Sequence, residues 1–372
     1  MSSNRSNSLD FLRFFLAIWV IAAHFIPWAA YAQQPSIYAS KLSQLLIYIF
    51  QPQFETHPAV LTFIVLSGFC INKAYRFNSE SFNLRQYIIR RFFRIYPLYI
   101  LAIIIGAICF LYSLLINAEL TTTLSGTQKL SFISLLVKSM CLPAVIPQLH
   151  LSQPYHHFAG NAPLSTVMVE IWLYALYPFI LLAASNRKKF ITILAITWSL
   201  SLFAITLYPQ YSNWWHNSSF IGFIPYWYIG ALAHHKHARA KLDLYFTSIV
   251  VAWLILTALL YFKITNIFFL IELKKILFAC IAAKFIFSIS TKNLKNIVFQ
   301  MPSLAGRSGY TIYAIHAPVL YTALALSYSW PYILFALFIS SIIVYVFFEK
   351  PVTELGYKIS IFKYKPALIL FD

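Results

Sequence analysis

The sequence predicts an all-α, polytopic membrane protein with about ten transmembrane helices. Of its 372 residues, 60% are hydrophobic and only 10% are charged, a balance that excludes a soluble globular protein and a disordered chain. The apolar runs are long and continuous instead of alternating with polar residues, which argues against a transmembrane β-barrel. Hydrophobic helices are therefore the expected building blocks.

Ten apolar segments are long enough to approach or complete a membrane crossing. In chain order they lie near residues 9–30, 58–72, 95–117, 164–184, 190–208, 219–235, 243–262, 270–290, 304–328 and 331–349. Six of the 28 basic residues fall in the loops on one side of this arrangement, and the other 22 fall on the side of the N-terminus. Because basic residues concentrate on the cytoplasmic side, both termini are expected to be cytoplasmic, in a multi-pass protein of the inner (plasma) membrane.

The ten segments form a single predicted domain over residues 1–372, with no appended soluble domain. The net charge of +18 would suit nucleic-acid binding, but the basic residues follow the two sides of the membrane, so no nucleic acid is expected as a partner. The longest connection, residues 118–163, contains a stretch at 132–145 that is expected to lie in the membrane interface as an amphipathic segment. Trp214 and Trp215, in a later outer loop, are candidates for stacking on a sugar.

The first apolar segment carries two ionisable side chains on one helical face. Arg13 and His24 are eleven residues apart, so a helix places them within about 20° of each other and about 16 Å apart along its axis. Ionisable groups in hydrocarbon are costly and by default mark a site that faces the protein interior or a water-filled cavity. One end of this stripe can hold an anion near the surface while the other does chemistry deeper inside.

Two further arginines precede the third segment. Arg91 and Arg94 are three residues apart and would share a face of a helix. A guanidinium group is always charged and offers a fork of donors that matches phosphate. From this motif alone the favoured interpretation is an anchor that follows the positive-inside rule. Phosphate binding gains weight because Arg13 is predicted at the same membrane level.

An acidic residue, Glu170, lies inside the fourth segment. Counted from the outer start of that segment it is about 9 Å deep, while His24 is about 22 Å up from the inner side of a core about 30 Å thick. Both therefore reach a similar depth. A buried carboxylate can orient an imidazole and stabilise its charged form, so we expect the two side chains to pair. The alternative is a glutamate that only holds helices together through a tyrosine or an arginine.

Several motifs, in order along the chain, carry a family resemblance. They are Arg13 with ten residues before His24, residues 63–69 (Phe-Ile-Val-Leu-Ser-Gly-Phe), residues 91–97 (Arg-Phe-Phe-Arg-Ile-Tyr-Pro), residues 164–178 around Glu170, residues 306–318 (from Gly-Arg-Ser-Gly-Tyr to His-Ala-Pro), and residues 348–351 (Phe-Glu-Lys-Pro). Together they resemble the acyltransferase 3 family of integral membrane acyltransferases. The resemblance implies transfer of an acyl group, most often acetyl, from cytoplasmic acyl-CoA to a hydroxyl of a carbohydrate or other cell-envelope molecule at the outer side.

The resemblance and the residues together suggest roles for individual side chains. His24 would act as general base on the acceptor hydroxyl or first accept the acyl group itself, and Glu170 would orient it. The phosphates of acyl-CoA would be bound by the arginines of both motifs, Arg13, Arg91 and Arg94. Supporting residues are Asp10, Ser67, Tyr313 and His316.

Two of the supporting assignments, those of Asp10 and His316, have a plainer alternative. Asp10, one turn from Arg13, is expected to pair with an arginine more often than to take part in chemistry. His316 either lines the cavity as a second polar group or is a satisfied core histidine. No metal is expected, because the cluster His234, His235 and His237 lies in a short basic turn without a convergent cysteine or carboxylate.

Two other classes of protein would also place arginine, histidine and glutamate inside a helical bundle. One is a transporter or flippase for an anionic or lipid-linked solute, and the other is a non-catalytic receptor. Transporters usually contain repeats with broken helices at matching positions, and no such pair of segments is evident here. The transporter stays an alternative; the partners that the resemblance implies are acyl-CoA and a carbohydrate or lipid-linked glycan acceptor, and membrane lipids are expected from the composition.

Overall fold

A computed structural model of the protein describes residues 7–33, 56–75, 82–127, 130–151, 161–234, 236–261, 268–291 and 306–361. Within these ranges the regular structure is helical and no strand occurs. The helices, numbered in chain order, are α1 (Asn7–Gln33), α2 (Pro58–Tyr75), α3 (Leu84–Ile116), α4 (Ala118–Ser125), α5 (Phe132–Ser139), α6 (Pro147–Leu151), α7 (Leu164–Leu182), α8 (Arg187–Leu207), α9 (Ser212–Asn217), α10 (Phe220–Leu232), α11 (Lys236–Tyr261), α12 (Phe268–Ser290), α13 (Gly309–Ala325), α14 (Trp330–Val344) and α15 (Lys350–Ile361).

Seven stretches of the described chain are long and apolar enough to cross a membrane, which confirms the predicted all-α polytopic class. They are Ser8–Ala29, Pro58–Tyr75, Leu84–Ile116, Leu164–Leu182, Lys188–Leu207, Arg239–Leu260 and Trp330–Ile361. The other three predicted segments coincide with α10, α12 and α13. Of these, α10 has 13 residues and α13 has 17, while α12 carries three charged residues near its start. The cytoplasmic orientation of the termini stays a prediction.

Two glycines bring α2 and α10 into backbone contact. A Cβ atom on Gly68 would lie 1.9 Å from the carbonyl oxygen of Trp227, and one on Gly230 would lie 1.9 Å from the carbonyl oxygen of Val65. Neither distance is possible for a real side chain, so only glycine allows this approach. Gly68 belongs to the motif at residues 63–69, and its role there is to let α2 sit at the centre of the bundle.

The first helix is fixed in a similar way. A Cβ atom on Gly306 would lie 1.8 Å from the carbonyl oxygen of Asp10, so the segment that leads into α13 touches the backbone of α1 directly. At the start of α13 the hydroxyl of Thr311 donates a hydrogen bond to Glu349. The motifs at residues 306–318 and 348–351 are therefore in contact, and both position α13 beside α1.

The connection between α3 and α7 contains the predicted amphipathic segment. The helix α5 exposes its apolar side chains Phe132, Ile133 and Leu136. Ser134 and Lys138 are buried on the opposite face. The amphipathic prediction is confirmed for α5, with the polar face toward the protein and the apolar face outward, as suits a helix that lies against lipid.

Candidate active site

A polar cavity of about 260 Å³ lies where α1, α2, α3, α7 and α13 meet. Its volume is enough for several water molecules or an extended chain of a ligand. The polar residues that line it come from all five helices: Arg13, Ser67, Cys70, Arg91, Arg94, Thr166, Glu170, Tyr174, Tyr310 and Tyr313. Six of the nine residues that the sequence pointed to are in this list, although they span 300 residues of the chain.

Arg13 is held in the cavity by two contacts. Its Nη1 donates a hydrogen bond of 2.5 Å to Oδ1 of Asp10, and its Nη2 lies 3.1 Å from the sulfur of Cys70. Asp10 is buried, so the ion pair is shielded from water and keeps the guanidinium in one orientation. The expectation that Asp10 pairs with an arginine is confirmed.

The other two arginines enter the same cavity from α3. The guanidinium of Arg91 lies over the ring of Tyr174 at 5.1 Å and near the ring of Tyr87 at 5.9 Å, both within the range of cation–π attraction. Arg94 lies one turn further along α3 and lines the cavity as well. Three permanent positive charges therefore surround one small cavity. This agrees with the expectation that Arg13 lies near Arg91 and Arg94.

Glu170 faces this cavity and is bonded within its own helix. The hydroxyl of Tyr174 donates to the Glu170 carboxylate, and the hydroxyl of Ser67 donates to Tyr174 at 3.0 Å. This chain of hydrogen bonds joins α2 to α7. It also places Tyr174 between the carboxylate and the guanidinium of Arg91, a position that the sequence indicated only through the spacing of four residues between Glu170 and Tyr174.

His24 lies elsewhere, against the middle of α13. Its ring is 5.3 Å from the ring of Trp28 and 5.3 Å from the ring of His316. The direct hydrogen bond predicted between His24 and Glu170 does not occur among the described contacts. The reason is local: Tyr174, one turn away on the same helix, occupies the carboxylate, whereas the face of α1 that carries His24 packs on α13.

Tyr313 separates the cavity from the two histidines. Its ring is 5.5 Å from that of Phe63 and 5.8 Å from that of His316, and its hydroxyl donates to Thr166 at 3.1 Å. Phe63, Thr166 and Tyr313 all line the cavity. The site thus has two compartments, one with the arginines and Glu170 and one with His24 and His316.

Asn161 is a site residue that the sequence reasoning missed. Pro318 has no backbone N–H, so the carbonyl of Ala314 lacks its usual helical donor. The side-chain nitrogen of Asn161 supplies the missing hydrogen bond at 2.7 Å. Asn161 is fully buried and so fastens the start of α7 to α13 within one turn of His316. A proline inside α13 was the signal that some side chain must provide this bond.

A second buried polar cluster lies outside the cavity, at the start of α12. The carboxylate of Glu272 accepts hydrogen bonds from Lys275 at 2.8 Å and from Tyr226 at 2.5 Å. The Nδ1 atom of His216 is 3.1 Å from the same carboxylate. All of these side chains are buried. The sequence showed only charges crowding a predicted span; the spacing of three residues between Glu272 and Lys275 was the available sign of a pair.

The outer tryptophans do not form a sugar platform. Trp214 and Trp215 are 4% and 1% exposed. The indole nitrogen of Trp214 donates a hydrogen bond of 2.7 Å to the carbonyl oxygen of Pro143. With no accessible ring face, the predicted stacking is wrong. Both rings are packed inside the protein, and the hydrogen bond of Trp214 fastens its helix to the connection between α3 and α7.

Of the three histidines in the basic turn, only His234 has a described side chain, which stacks on the ring of Phe69 at 4.2 Å. The side chains of His235 and His237 lie outside the described part of the structure. Across the described chain, no group of three or more histidine, cysteine, aspartate or glutamate side chains has the arrangement of a metal site.

An apolar groove adjoins the cavity between α3 and α7. Its volume is about 460 Å³, and its wall toward the cavity is formed by Arg91 and Tyr174. Phe92, Phe179 and Leu182, on its other side, are exposed. The groove therefore opens to the surface that faces lipid, and hydrocarbon chains suit it better than polar ligands.

Comparison with known proteins supports the resemblance seen in the motifs. A family model described as an acyltransferase domain matches residues 6–349, nearly the whole chain. No curated protein and no solved structure matches the chain. The matched region contains every helix that lines the cavity and the two contacting histidines, His24 and His316. The chain therefore belongs to the acyltransferase 3 family and is a multi-pass membrane acyltransferase.

Proposed function

We propose that this protein transfers an acetyl group from cytoplasmic acyl-CoA to a hydroxyl of a carbohydrate or lipid-linked glycan acceptor at the outer side of the inner membrane. Family membership supplies acyl transfer. The proposal that acyl-CoA is the donor is supported by one observation: Arg13, Arg91 and Arg94 line the same cavity.

The charge of this cavity suits an anionic donor. Asp10 pairs with Arg13, but no carboxylate of the described chain pairs with Arg91, whose guanidinium lies over tyrosine rings instead. A net positive, partly dehydrated cavity attracts phosphates more strongly than a surface patch would. The arginines would bind the CoA phosphates at the end of the bundle where α1 begins, and the pantetheine arm would extend toward Tyr313.

The size of the cavity favours a small acyl group. About 260 Å³ must hold the pantetheine arm as well as the acyl group, and the far end is closed by Phe63, Thr166 and Tyr313. Within the cavity itself a long acyl chain would have no room beyond the thioester, and it would have to pass Arg91 and Tyr174 to enter the adjoining apolar groove. Acetyl, which the family resemblance also implies, fits this restriction.

His24 is the base we propose for the acceptor hydroxyl. It takes the proton as the oxygen attacks, or it carries the acyl group first; both routes fit its place beyond Tyr313. Glu170 stays a proposed site residue. Because the Tyr174 hydroxyl donates to its carboxylate, Glu170 would reach His24 only through a bridging water. Without such a water, its role would be confined to the cavity that contains the three arginines.

The donor is tested with lysine substitutions. Arg91→Lys and Arg94→Lys keep the charge but lose the paired N–H fork, so each should bind acetyl-CoA at least about tenfold more weakly, the loss expected for one charge-assisted hydrogen bond. Arg85→Lys is the matched control, because Arg85 is an exposed residue of the same helix. Binding of radiolabelled acetyl-CoA to the purified protein measures the effect.

Three outcomes separate the alternatives. Normal binding by both cavity variants would make these arginines topological anchors. Binding without any consumption of acetyl-CoA by the wild type would favour transport over transfer. Mass spectrometry of envelope glycans and lipids from cells with and without the gene identifies the acceptor as the molecule whose acetylation changes. An unchanged acetylation pattern would contradict the proposal.

A further inference from the structure

The tautomer of His316 is determined by its own helix. His316 is fully buried in α13, and its Nδ1 atom lies 2.8 Å from the carbonyl oxygen of Tyr313. A carbonyl oxygen can only accept a hydrogen bond, so the neutral imidazole carries its hydrogen on Nδ1. Its Nε2 atom is consequently a lone-pair acceptor.

This acceptor is not used within the described structure. Nε2 of His316 is buried and has no hydrogen-bond partner among the described residues. Leaving a buried acceptor unsatisfied is costly, so such an atom calls for a partner that arrives during function. The ring of His24 packs against that of His316, with the two ring centroids 5.3 Å apart and the planes tilted by 41°, so it is a polar group within reach of this atom.

We propose that His316 is a positioning residue for His24. Its Nε2 atom accepts the hydrogen of one His24 nitrogen, which leaves the lone pair of the other nitrogen directed at the acceptor hydroxyl. His316 then does for His24 what the carboxylate does in a serine-protease triad, but as a neutral acceptor. This inference rests on the proposed function, because it assigns His24 as the base of acyl transfer.

The chemical step balances without a proton on His316. The acceptor oxygen bonds to the thioester carbon while its proton moves to the free nitrogen of His24. The C–S bond to CoA then breaks, and the thiolate takes that proton from His24. Throughout, the charged His24 keeps its second N–H bonded to Nε2 of His316, which is where the positive charge is stabilised.

Two substitutions at His316 separate positioning from packing. In His316→Asn the amide nitrogen replaces Nδ1 and keeps the bond to Tyr313, but no acceptor remains at the position of Nε2. In His316→Gln the longer side chain places an amide oxygen near that position, so an acceptor is retained. Both variants remove the imidazole and therefore disturb the buried site of Ala314, Asn161 and Pro318 to a similar extent.

The assay measures release of CoA from acetyl-CoA by the purified full-length protein, with membranes from cells that lack the protein as the source of acceptor. We expect His316→Asn to lower kcat about 10- to 100-fold, the effect of losing a hydrogen bond to a charged group, with KM for acetyl-CoA within about twofold. His316→Gln should keep at least about one third of the wild-type kcat. Size-exclusion profiles verify that each variant is folded.

The outcomes distinguish this inference from the function on which it rests. A wild-type kcat in His316→Asn, or equal losses in the asparagine and glutamine variants, would overturn the positioning role while leaving acyl transfer intact. No CoA release by the wild type would overturn the proposed function and this inference with it. If His316→Asn does not fold, His316→Gln decides alone: a retained kcat supports the role, and a loss of more than tenfold overturns it.

Discussion

Replacing Lys275 by methionine is predicted to destabilise the protein by about 3–5 kcal/mol, the cost of removing one partner from a buried ion pair. Methionine keeps most of the volume and the apolar contact of the lysine stem but removes the ammonium group. What it leaves behind is Glu272, 1% exposed, with only His216 and Tyr226 to satisfy its charge. The loss comes from that stranded carboxylate more than from the contact itself.

The magnitude follows from the geometry of the pair. Lys275 Nζ and Glu272 Oε1 are 2.8 Å apart and both side chains are 1% exposed, so their attraction is about 6 kcal/mol at an effective dielectric constant of about 20. Desolvation of both groups offsets much of this in the intact protein. Once the lysine is gone the desolvation of Glu272 has no such compensation, and a net cost of several kcal/mol remains.

The assay is equilibrium unfolding in mixed micelles, in which an increasing fraction of SDS denatures the protein. Lys284→Met is the matched control, because Lys284 pairs with Asp243 at 3.1 Å while the two side chains are 30% and 54% exposed. An exposed pair contributes less than about 1 kcal/mol. Equal losses in both variants would refute the reasoning, and the double variant Glu272→Gln/Lys275→Met should recover most of the loss.

Three further predictions concern packing, pH and the site. Gly230→Ala forces a Cβ atom to 1.9 Å from a backbone carbonyl oxygen of α2, so it should lower the free energy of unfolding by about 1–3 kcal/mol in the same assay. Gly309→Ala should be tolerated, because its Cβ atom would meet its nearest neighbour at 3.5 Å. Burial lowers the pKa of Lys138, in the connection between α3 and α7, from 10.5 to about 7. Above pH 7 the folded state therefore binds fewer protons than the unfolded state, so the stability of the protein should rise between pH 7 and 10.5. Thermal melts over this pH range should show the rise in the wild type and not in Lys138→Met. Tyr174→Phe removes the hydroxyl that holds the cavity glutamate and should lower kcat for acetyl-CoA about tenfold while folding normally; an unchanged kcat would show that this bond is structural only.

The meeting of the arginines was predictable from the sequence, and the partner of His24 was not. An apolar run predicts where each residue lies along the bilayer normal, so Arg13, Arg91 and Arg94 were expected at one level, and the structure brings them into one cavity. The same reasoning put His24 and Glu170 at similar depths, but depth leaves open which helices are neighbours. In the structure, Glu170 accepts a hydrogen bond from Tyr174 on its own helix. His24 contacts His316 instead, a contact that depends on the packing of α1 against α13.

Short spacings within one helix carried more information than the sequence reasoning used. Glu272 and Lys275 are three residues apart, and Glu170 and Tyr174 are four apart, so each pair could be placed on one face. His216, which belongs to the same buried polar cluster as Glu272 and Lys275, lies 56 residues before Glu272 in a short helix. Nothing local indicates that contact, because it is created by the way α9 folds back onto α12.

The position of the Tyr313 ring bears on proton leakage across the membrane. The proposed reaction takes its donor from one face of the membrane and its acceptor from the other, and it therefore needs polar groups along most of the way across. A continuous file of water between those groups would conduct protons and dissipate the gradient on which the cell depends. The rings of Phe63, Tyr313 and His316 form consecutive contacts between the cavity and His24. We therefore expect these packed rings to interrupt a file of water and to keep the proton leak through the resting protein low.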